Sequence, residues 1–184
     1  MEFEQVTTKS GDRGHTSLSN GDRVTKKSKI IVALGEIDSL NAHLGIIRSQ
    51  DTIRRYDKNV IKQIQQDLYE IMAMVSKYDL EFTSEKVEFL ERKQKLYMKF
   101  CKIPNVFINF GECKESALFN LARTQVRKAE IAYLSMEYNR MSVVQEYLNR
   151  LSDLIYVLSI IYENANTKKM RIKKNWFDFI RKSR

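Results

Sequence analysis

Residues 60–75 read Val-Ile-Lys-Gln-Ile-Gln-Gln-Asp-Leu-Tyr-Glu-Ile-Met-Ala-Met-Val, and their apolar side chains recur every three or four positions. This spacing places them on one face of an α-helix, so the stretch predicts a long amphipathic helix. Similar patterns predict helices over about 30–48, around 87–96, over about 114–138 and over about 142–164. One proline and six glycines leave room for helices of this length. Short links between them favour an all-α fold, a five-helix antiparallel bundle.

The composition is that of a folded soluble protein, with 43% hydrophobic and 30% charged residues in a chain of 184. We expect a single domain over 1–184, with a loop at 7–29, a helical bundle at 30–165 and a basic tail at 166–184. No apolar run long enough for a membrane span and no signal peptide is recognisable, so we expect a cytoplasmic protein without a membrane partner. Cys101 and Cys113 lack metal-ligand spacing, and no metal site is predicted.

The net charge of +9 indicates an anionic partner, because such a field attracts nucleotides, nucleic acids and anionic membranes alike. Charge alone does not choose among these partners. Much of the excess lies in the tail, where a single acid, Asp178, accompanies eight bases: Lys168, Lys169, Arg171, Lys173, Lys174, Arg181, Lys182 and Arg184.

The loop before the first helix has the residue types of a phosphate site. It contains Thr8-Lys9-Ser10-Gly11-Asp12-Arg13-Gly14-His15-Thr16-Ser17, followed by Arg23 and Lys26. Glycines can present backbone N–H groups to phosphate oxygens, hydroxyls can add hydrogen bonds, and lysines can neutralise charge. No Gly-Lys-Ser/Thr opens a helix, so this is not a P-loop. Taken alone, a polar turn before a helix is the better explanation of this composition, by about two to one.

Polar residues on the later helices raise similar alternatives. In the fourth predicted helix, Arg123, Arg127 and Glu130 share one face, which is either a solvated salt-bridged stripe or a grip for an anion. In the fifth, Asn149 is a poor helix former and needs a reason such as a buried hydrogen bond or a ligand. Asp38, near the apolar stripe of the first helix, raises the same question. No nucleophile–base pair is visible, which disfavours a hydrolase with a catalytic triad.

Together these stretches resemble one family, the ATP:cob(I)alamin (corrinoid) adenosyltransferases of the propanediol-utilisation type. The resemblance covers most of residues 7–162 in the right order. It implies a ferritin-like, cobalamin adenosyltransferase-like bundle with an N-terminal ATP-binding loop. The motifs that carry it are Thr8-Lys9-Ser10-Gly11-Asp12-Arg13-Gly14-His15-Thr16-Ser17-Leu18, Gly35-Glu36-Ile37-Asp38-Ser39-Leu40-Asn41, Ile64-Gln65-Gln66-Asp67-Leu68-Tyr69-Glu70-Ile71, Ala122-Arg123-Thr124 with Arg127-Lys128-Ala129-Glu130, and Tyr147-Leu148-Asn149-Arg150-Leu151-Ser152-Asp153.

The resemblance implies an enzyme that transfers the 5′-deoxyadenosyl group of ATP, bound with Mg, to Co(I) of cobalamin. The products are adenosylcobalamin and inorganic triphosphate. Co(I) is a strong nucleophile, so the protein needs to hold the 5′ carbon in line and stabilise the departing triphosphate rather than supply a base. The family also implies a homotrimer with ATP at the subunit interfaces. A cobalamin reductase and an adenosylcobalamin-dependent enzyme are the further expected partners.

The resemblance also assigns roles to residues. Asp38 and Arg123 form an ion pair between neighbouring subunits beside the active site, and together with Arg127 they make up the expected catalytic set. Phe107 occupies the lower face of the corrin ring, although the segment Asn109-Phe110-Gly111-Glu112 that follows departs from the family's usual Leu-Pro-Gly-Gly. The other cofactor-binding residues are Thr8, Lys9, Ser10, Gly11, Thr16, Ser17, Lys26, Lys128, Glu130 and Asn149.

Two alternatives from other classes remain open at this point. One is a protein that binds corrinoid and ATP as a chaperone or sensor without turnover. The other is a basic nucleic-acid-binding bundle that uses the tail, where Trp176, Phe177 and Phe179 are interleaved with the bases. The tail lacks a recognised nucleic-acid motif, so nucleic acid is not among the expected partners.

Overall fold

The computed structural model describes residues 9–105, 108–136 and 142–166, which form five α-helices and one small hairpin. The helices are α1 (Lys29–Ser49), α2 (Arg55–Val75), α3 (Glu85–Met98), α4 (Lys114–Leu134) and α5 (Ser142–Asn166). The predicted five-helix fold is confirmed. The fourth helix ends at Leu134 rather than at about Tyr138, and the basic tail lies outside the described residues.

Polar contacts identify the two ends of the bundle. Lys114 Nζ donates to Gln50 Oε1 over 2.7 Å, so the end of α1 lies beside the start of α4. The backbone N–H of Arg54, just before α2, donates to the hydroxyl of Tyr162 near the end of α5 over 3.1 Å. The opposite end therefore contains the start of α1, the end of α2, the end of α4 and the start of α5.

The core consists of the apolar stripes of all five helices. Because α4 packs against both α1 and α5, residues such as Phe119 and Val126 are fully buried. Helix α3 packs against α5, and α2 packs against α1. The stripe that predicts α2 is buried as expected, at Val60, Ile61, Ile64, Leu68, Ile71 and Val75.

Two aspartates are buried inside this apolar core, and the first is Asp57 in the opening turn of α2. It accepts hydrogen bonds of 2.6 Å from Arg54 Nε, from the Tyr97 hydroxyl on α3 and from the Tyr162 hydroxyl on α5. These partners compensate the loss of water that burial of a charge entails. Asp57 therefore joins α2, α3 and α5 at one end of the bundle.

The second buried aspartate is Asp67, nearly three turns further along α2. It accepts from the Tyr147 hydroxyl of α5 over 2.9 Å and from Lys86 Nζ at the start of α3 over 2.9 Å. Desolvation disfavours the charge on Lys86, but its hydrogen bonds to Asp67 and Glu70 raise the pKa above the usual value of 10.5. Asp67 thus ties α2 to α3 and α5 nearer the opposite end.

The buried phenols predict that stability falls on the alkaline side. Burial, and then the nearby charge of a carboxylate, raises the pKa of Tyr97 and Tyr147 well above 10.0. The unfolded chain loses these protons first, so their contribution is complete below about pH 10 and is lost as the pH rises beyond it. We expect the free energy of unfolding in urea to decline as the pH rises above about 10, with a shallower slope in Tyr147→Phe. A flat profile would contradict this.

The loop at 7–29 contains a hairpin that the sequence did not predict. Strand β1 (His15–Ser17) pairs antiparallel with β2 (Arg23–Thr25). Each strand has three residues, too few for a recognisable alternation of apolar and polar positions. Gly21 in the turn has a φ of 88°, a left-handed conformation that favours glycine. The predicted all-α class is therefore a helical bundle with a small hairpin.

Helix α1 has apolar side chains on two faces. By length and composition alone it could cross a membrane, with a mean hydropathy of 1.5 over a window of which 33% is buried. Its inner face contributes Leu40 and Leu44 to the core, while Val32 and Ile46 on its outer face are 47% and 49% exposed. A core helix with a second apolar face gives the same signal as a membrane span, so the composition does not distinguish them.

Candidate functional site

The first part of the site is the loop from Lys9 to Lys26. The chain turns tightly here: Gly14 N–H donates to Gly11 O over 3.2 Å, and Lys26 N–H donates to Gly14 O over 2.8 Å. A Cβ atom on Gly11 would lie 2.9 Å from Lys26 Nζ, so the absence of a side chain lets the ammonium lie directly over the backbone. Lys9 has a φ of 54°, which is uncommon for a residue with a Cβ.

The loop is fastened to the end of α2. Ser19 N–H donates to Ser76 O over 2.9 Å, and Lys77 Nζ binds Asp22 Oδ2 over 3.0 Å. The hydrogen bond from Asn20, followed by that from Lys77, lowers the pKa of Asp22. These contacts fix the hairpin at the end of the bundle that also contains the start of α1, the end of α4 and the start of α5.

Within the loop, the predicted phosphate-binding residues are accessible. Lys9, Ser10, Ser17 and Lys26 are exposed, and Gly11 and Thr16 are half-buried. Arg23 donates to Ser10 O over 3.1 Å and to Ser17 Oγ over 3.5 Å, so it links the two hydroxyl-bearing stretches. Thr8 lies outside the described residues.

The second part is a cleft between α4 and α5 at the same end of the bundle. Asn149 Nδ2 donates to Glu130 Oε1 over 3.3 Å, which brings together two predicted site residues from different helices. They line an open cavity of about 320 Å³ together with Gln145, Glu146 and Arg150. All five side chains are polar, so the cavity offers hydrogen bonds and charge rather than an apolar surface.

The cations predicted on α4 differ in their surroundings. Arg127 and Lys128 are both exposed. Arg127 lies one turn before Glu130 on the same face of α4, whereas Lys128, two positions before Glu130, does not share that face. Arg123 is half-buried: its Nε donates to Asn120 Oδ1 over 3.1 Å, and its guanidinium carbon lies 5.8 Å from the ring centroid of Tyr156. Arg123 therefore faces α5, apart from the exposed pair.

Asp38 is exposed on the outer face of α1. Neither it nor Arg123 forms an ion pair with another residue that the structure describes. The predicted pairing of these two charges is thus absent within one subunit.

The aromatic surroundings of the predicted corrin contact are partly visible. Phe107 itself lies outside the described residues. Phe110, three positions later, packs edge-on against Tyr156 with ring centroids 6.2 Å apart. Because Tyr156 also contacts Arg123, the segment after Phe107 lies on the same side of α5 as that arginine.

Three residues that line the cleft were missing from the sequence prediction, namely Gln145, Glu146 and Arg150. Glu91 of α3, which contacts Arg150, was missing as well. Arg150 Nε donates to Glu91 Oε1 of α3 over 2.9 Å, and Arg150 NH1 donates to Asn149 Oδ1 over 3.3 Å. This contact lowers the pKa of Glu91 and raises that of Arg150, in each case chiefly through their hydrogen bond. Arg150 could have been found from its place next to Asn149, but Glu91 had no such signal.

The chain is similar to known proteins over most of its length. The model of the family described as cobalamin adenosyltransferase matches residues 6–162. A cobalamin adenosyltransferase of Cupriavidus metallidurans is 31% identical over 167 residues, which cover 89% of this chain and 90% of the relative. A corrinoid adenosyltransferase of Mycobacterium leprae is 30% identical over 181 residues, covering 90% of this chain and 95% of the relative.

Solved structures show the same fold. A variant of the PduO-type ATP:corrinoid adenosyltransferase from Lactobacillus reuteri, complexed with cobalamin and ATP, matches with a TM-score of 0.79. The match covers 88% of this chain and 93% of that chain at 24% sequence identity. A second variant of the same enzyme, also complexed with cobalamin and ATP, matches with a TM-score of 0.80.

Proposed function

Because this chain belongs to the cobalamin adenosyltransferase family, we propose that it transfers the 5′-deoxyadenosyl group of ATP to the Co(I) centre of a corrinoid. The chain is an ATP-dependent corrinoid adenosyltransferase, and its substrates are ATP and a reduced corrinoid. The observation that carries this function is the family match over residues 6–162, which includes both the loop and the cleft.

In the proposed reaction, the Co(I) electron pair attacks the 5′ carbon of ATP. A cobalt–carbon bond forms, the bond from that carbon to the triphosphate oxygen breaks, and inorganic triphosphate leaves with the electron pair. No proton needs to be removed, so the protein's task is to align the two substrates and to stabilise the leaving group. The described site fits this task because it offers cations and backbone donors.

We assign the triphosphate, bound with Mg, to the loop that contains Lys9, Gly11 and Lys26. The exposed ammonium of Lys26 over the Gly11 backbone supports this assignment, because cation and backbone N–H groups together suit a polyphosphate. Glu130 and Asn149 are proposed to hold the nucleoside, whose hydroxyl and amino groups match a carboxylate and an amide. Arg127 and Lys128 complete the charge around the leaving group.

The proposed assembly is a homotrimer, with the loop of one subunit meeting the cleft of its neighbour. The outer faces of α1 and α4 support it, because both carry exposed apolar side chains on helices that pack side by side. These side chains are Val32 and Ile46 on α1, and Leu121, Ile131 and Leu134 on α4. Asp38 lies on the same face of α1, and its proposed partner is Arg123 of the next subunit.

The proposed setting is the cytoplasm, and the proposed partners act before and after the transfer. Both cysteines are free thiols, which fits a reducing compartment. A cobalamin reductase supplies the electron for Co(I), and an adenosylcobalamin-dependent enzyme receives the product.

The function is tested by following adenosylcobalamin formation spectroscopically with reduced cobalamin and Mg-ATP. We expect turnover that depends on both substrates and releases one triphosphate for each adenosylcobalamin. Binding of both substrates without product would instead support the chaperone or sensor alternative.

Lys26→Ala and Arg127→Ala are each expected to raise the KM for ATP, or to lower turnover, by about tenfold or more. Each change removes a charge-assisted contact to phosphate, which contributes about 1.5–3 kcal/mol. Lys62→Ala, which removes an exposed lysine of α2 outside the site, is the matched control. Wild-type kinetics in both site variants would exclude this placement of the triphosphate.

A further inference from the structure

The amide of Asn149 is held between two groups of opposite hydrogen-bonding character. Its Nδ2 faces the Glu130 carboxylate at 3.3 Å, and its Oδ1 faces Arg150 NH1 at 3.3 Å. An ionised carboxylate only accepts hydrogen bonds, and a guanidinium only donates them. Flipping the amide would place oxygen against oxygen and nitrogen against nitrogen, so these two neighbours select one orientation.

Arg150 is in turn held by two carboxylates that do not touch the amide. Its Nε donates to Glu91 Oε1 of α3 over 2.9 Å, and its NH2 lies 3.7 Å from Glu146 Oε1 one turn earlier on α5. Because the guanidinium is a rigid planar fork, fixing these two nitrogens also fixes the direction of NH1. A lysine would carry the same charge, but its single ammonium group cannot contact Glu91, Glu146 and Asn149 in one plane as the guanidinium does.

The orientation decides what Asn149 offers to a ligand. With one hydrogen of Nδ2 used by Glu130, the second hydrogen remains for an acceptor. With one lone pair of Oδ1 used by Arg150, the second lone pair remains for a donor. A nucleoside presents acceptors and donors at defined positions, so a flipped amide would oppose rather than bind them.

We propose that Arg150, anchored by Glu91 of α3, is a positioning residue that fixes the amide of Asn149 for nucleotide binding. This inference rests on the proposed function, because it takes ATP as the ligand of the cleft. Arg150 acts through Asn149, and Glu91 acts through Arg150. Helix α3 thereby contributes to nucleotide affinity.

The test measures the ATP dissociation constant by calorimetry and steady-state kinetics on the full chain. For Arg150→Lys we expect ATP binding and the KM for ATP to weaken about tenfold, with kcat, the KM for corrinoid and the melting temperature nearly unchanged. Glu91→Gln, which keeps the size but removes the charge that anchors Arg150, should weaken ATP binding in the same direction by a smaller factor. Arg92→Lys is the matched control, because Arg92 forms an exposed ion pair with Glu88 that has no contact with the cleft.

A coupling measurement separates positioning from a general structural role. In the background of Asn149→Ala, Arg150→Lys should produce no further loss of ATP affinity, because the amide it orients is gone. Additive losses, wild-type affinity in both Arg150→Lys and Glu91→Gln, or a parallel fall of every parameter with the melting temperature would each overturn the inference. The proposed function fails separately, if the wild-type protein binds ATP but forms no adenosylcobalamin.

Discussion

Asp57→Ala is expected to lower the free energy of unfolding by about 3–5 kcal/mol, the cost of removing one partner of a buried ion pair. The carboxylate is fully buried and accepts from Arg54, Tyr97 and Tyr162, all over 2.6 Å. Without it, the guanidinium and two phenol hydroxyls lose their common acceptor inside the core. Urea unfolding followed by circular dichroism at neutral pH measures the change.

Glu88→Ala is the control for this experiment. Glu88 also pairs with a nearby arginine, Arg92, four residues later on α3, but both side chains are 64% exposed. Water replaces such a partner at little cost, so the expected loss is below about 1 kcal/mol. Equal effects of the two substitutions would contradict the view that Asp57 is a structural centre of the bundle.

The helices could be predicted from the sequence because each one buries a regular stripe of apolar residues. The burial of Asp57 and Asp67 could not be predicted in this way. In the sequence, a charged residue within an apolar stripe looks like an interruption of that stripe. The side chains that hydrogen-bond to it, and so compensate its burial, are distant in the chain. Tyr97 and Tyr162 are 40 and 105 residues from Asp57, and only the packing of α3 and α5 on α2 brings them together.

The hairpin in the loop escaped prediction for a different reason. It depends on a few backbone hydrogen bonds and on attachment to Ser76 and Lys77 at the end of α2. Glycines and hydroxyls indicated an ordered loop, but nothing in residues 7–29 specifies where the loop is fastened. Its place beside the ends of α4 and α5 follows from the bundle.

The candidate site likewise combines residues that could be predicted from the sequence with residues that could not. The resemblance identified Glu130 and Asn149, which lie 19 residues apart on adjacent helices and meet in the cleft. The resemblance did not identify Glu91, which lies 59 residues before Arg150. Acidic residues are common on the solvent-facing side of helices, so nothing in the sequence distinguishes this one. The proposed ligand contacts belong to a recognisable motif, whereas the proposed positioning contact of Glu91 is found only from side-chain geometry.

Reversing the charge of Asp38 is expected to dissociate the proposed trimer and to abolish most of the transferase activity. Asp38 is exposed on the apolar outer face of α1, and Arg123 has no carboxylate partner among the described residues of its own subunit. Two like charges placed opposite each other at an interface cost several kcal/mol, and a closed ring repeats the contact at every interface. Asp38→Arg should therefore be largely monomeric by light scattering at micromolar concentration.

The paired exchange makes this prediction specific. If Asp38 meets Arg123 of a neighbour, combining Asp38→Arg with Arg123→Asp restores opposite charges, so the double variant should recover the trimer that each single variant lacks. Glu88→Arg changes the net charge as much as Asp38→Arg but lies on α3, and it should remain a trimer. A monodisperse wild-type monomer would exclude the assembly. A trimeric Asp38→Arg with normal activity would exclude the ion pair, because an interface that tolerates the reversed charge does not place Asp38 opposite Arg123.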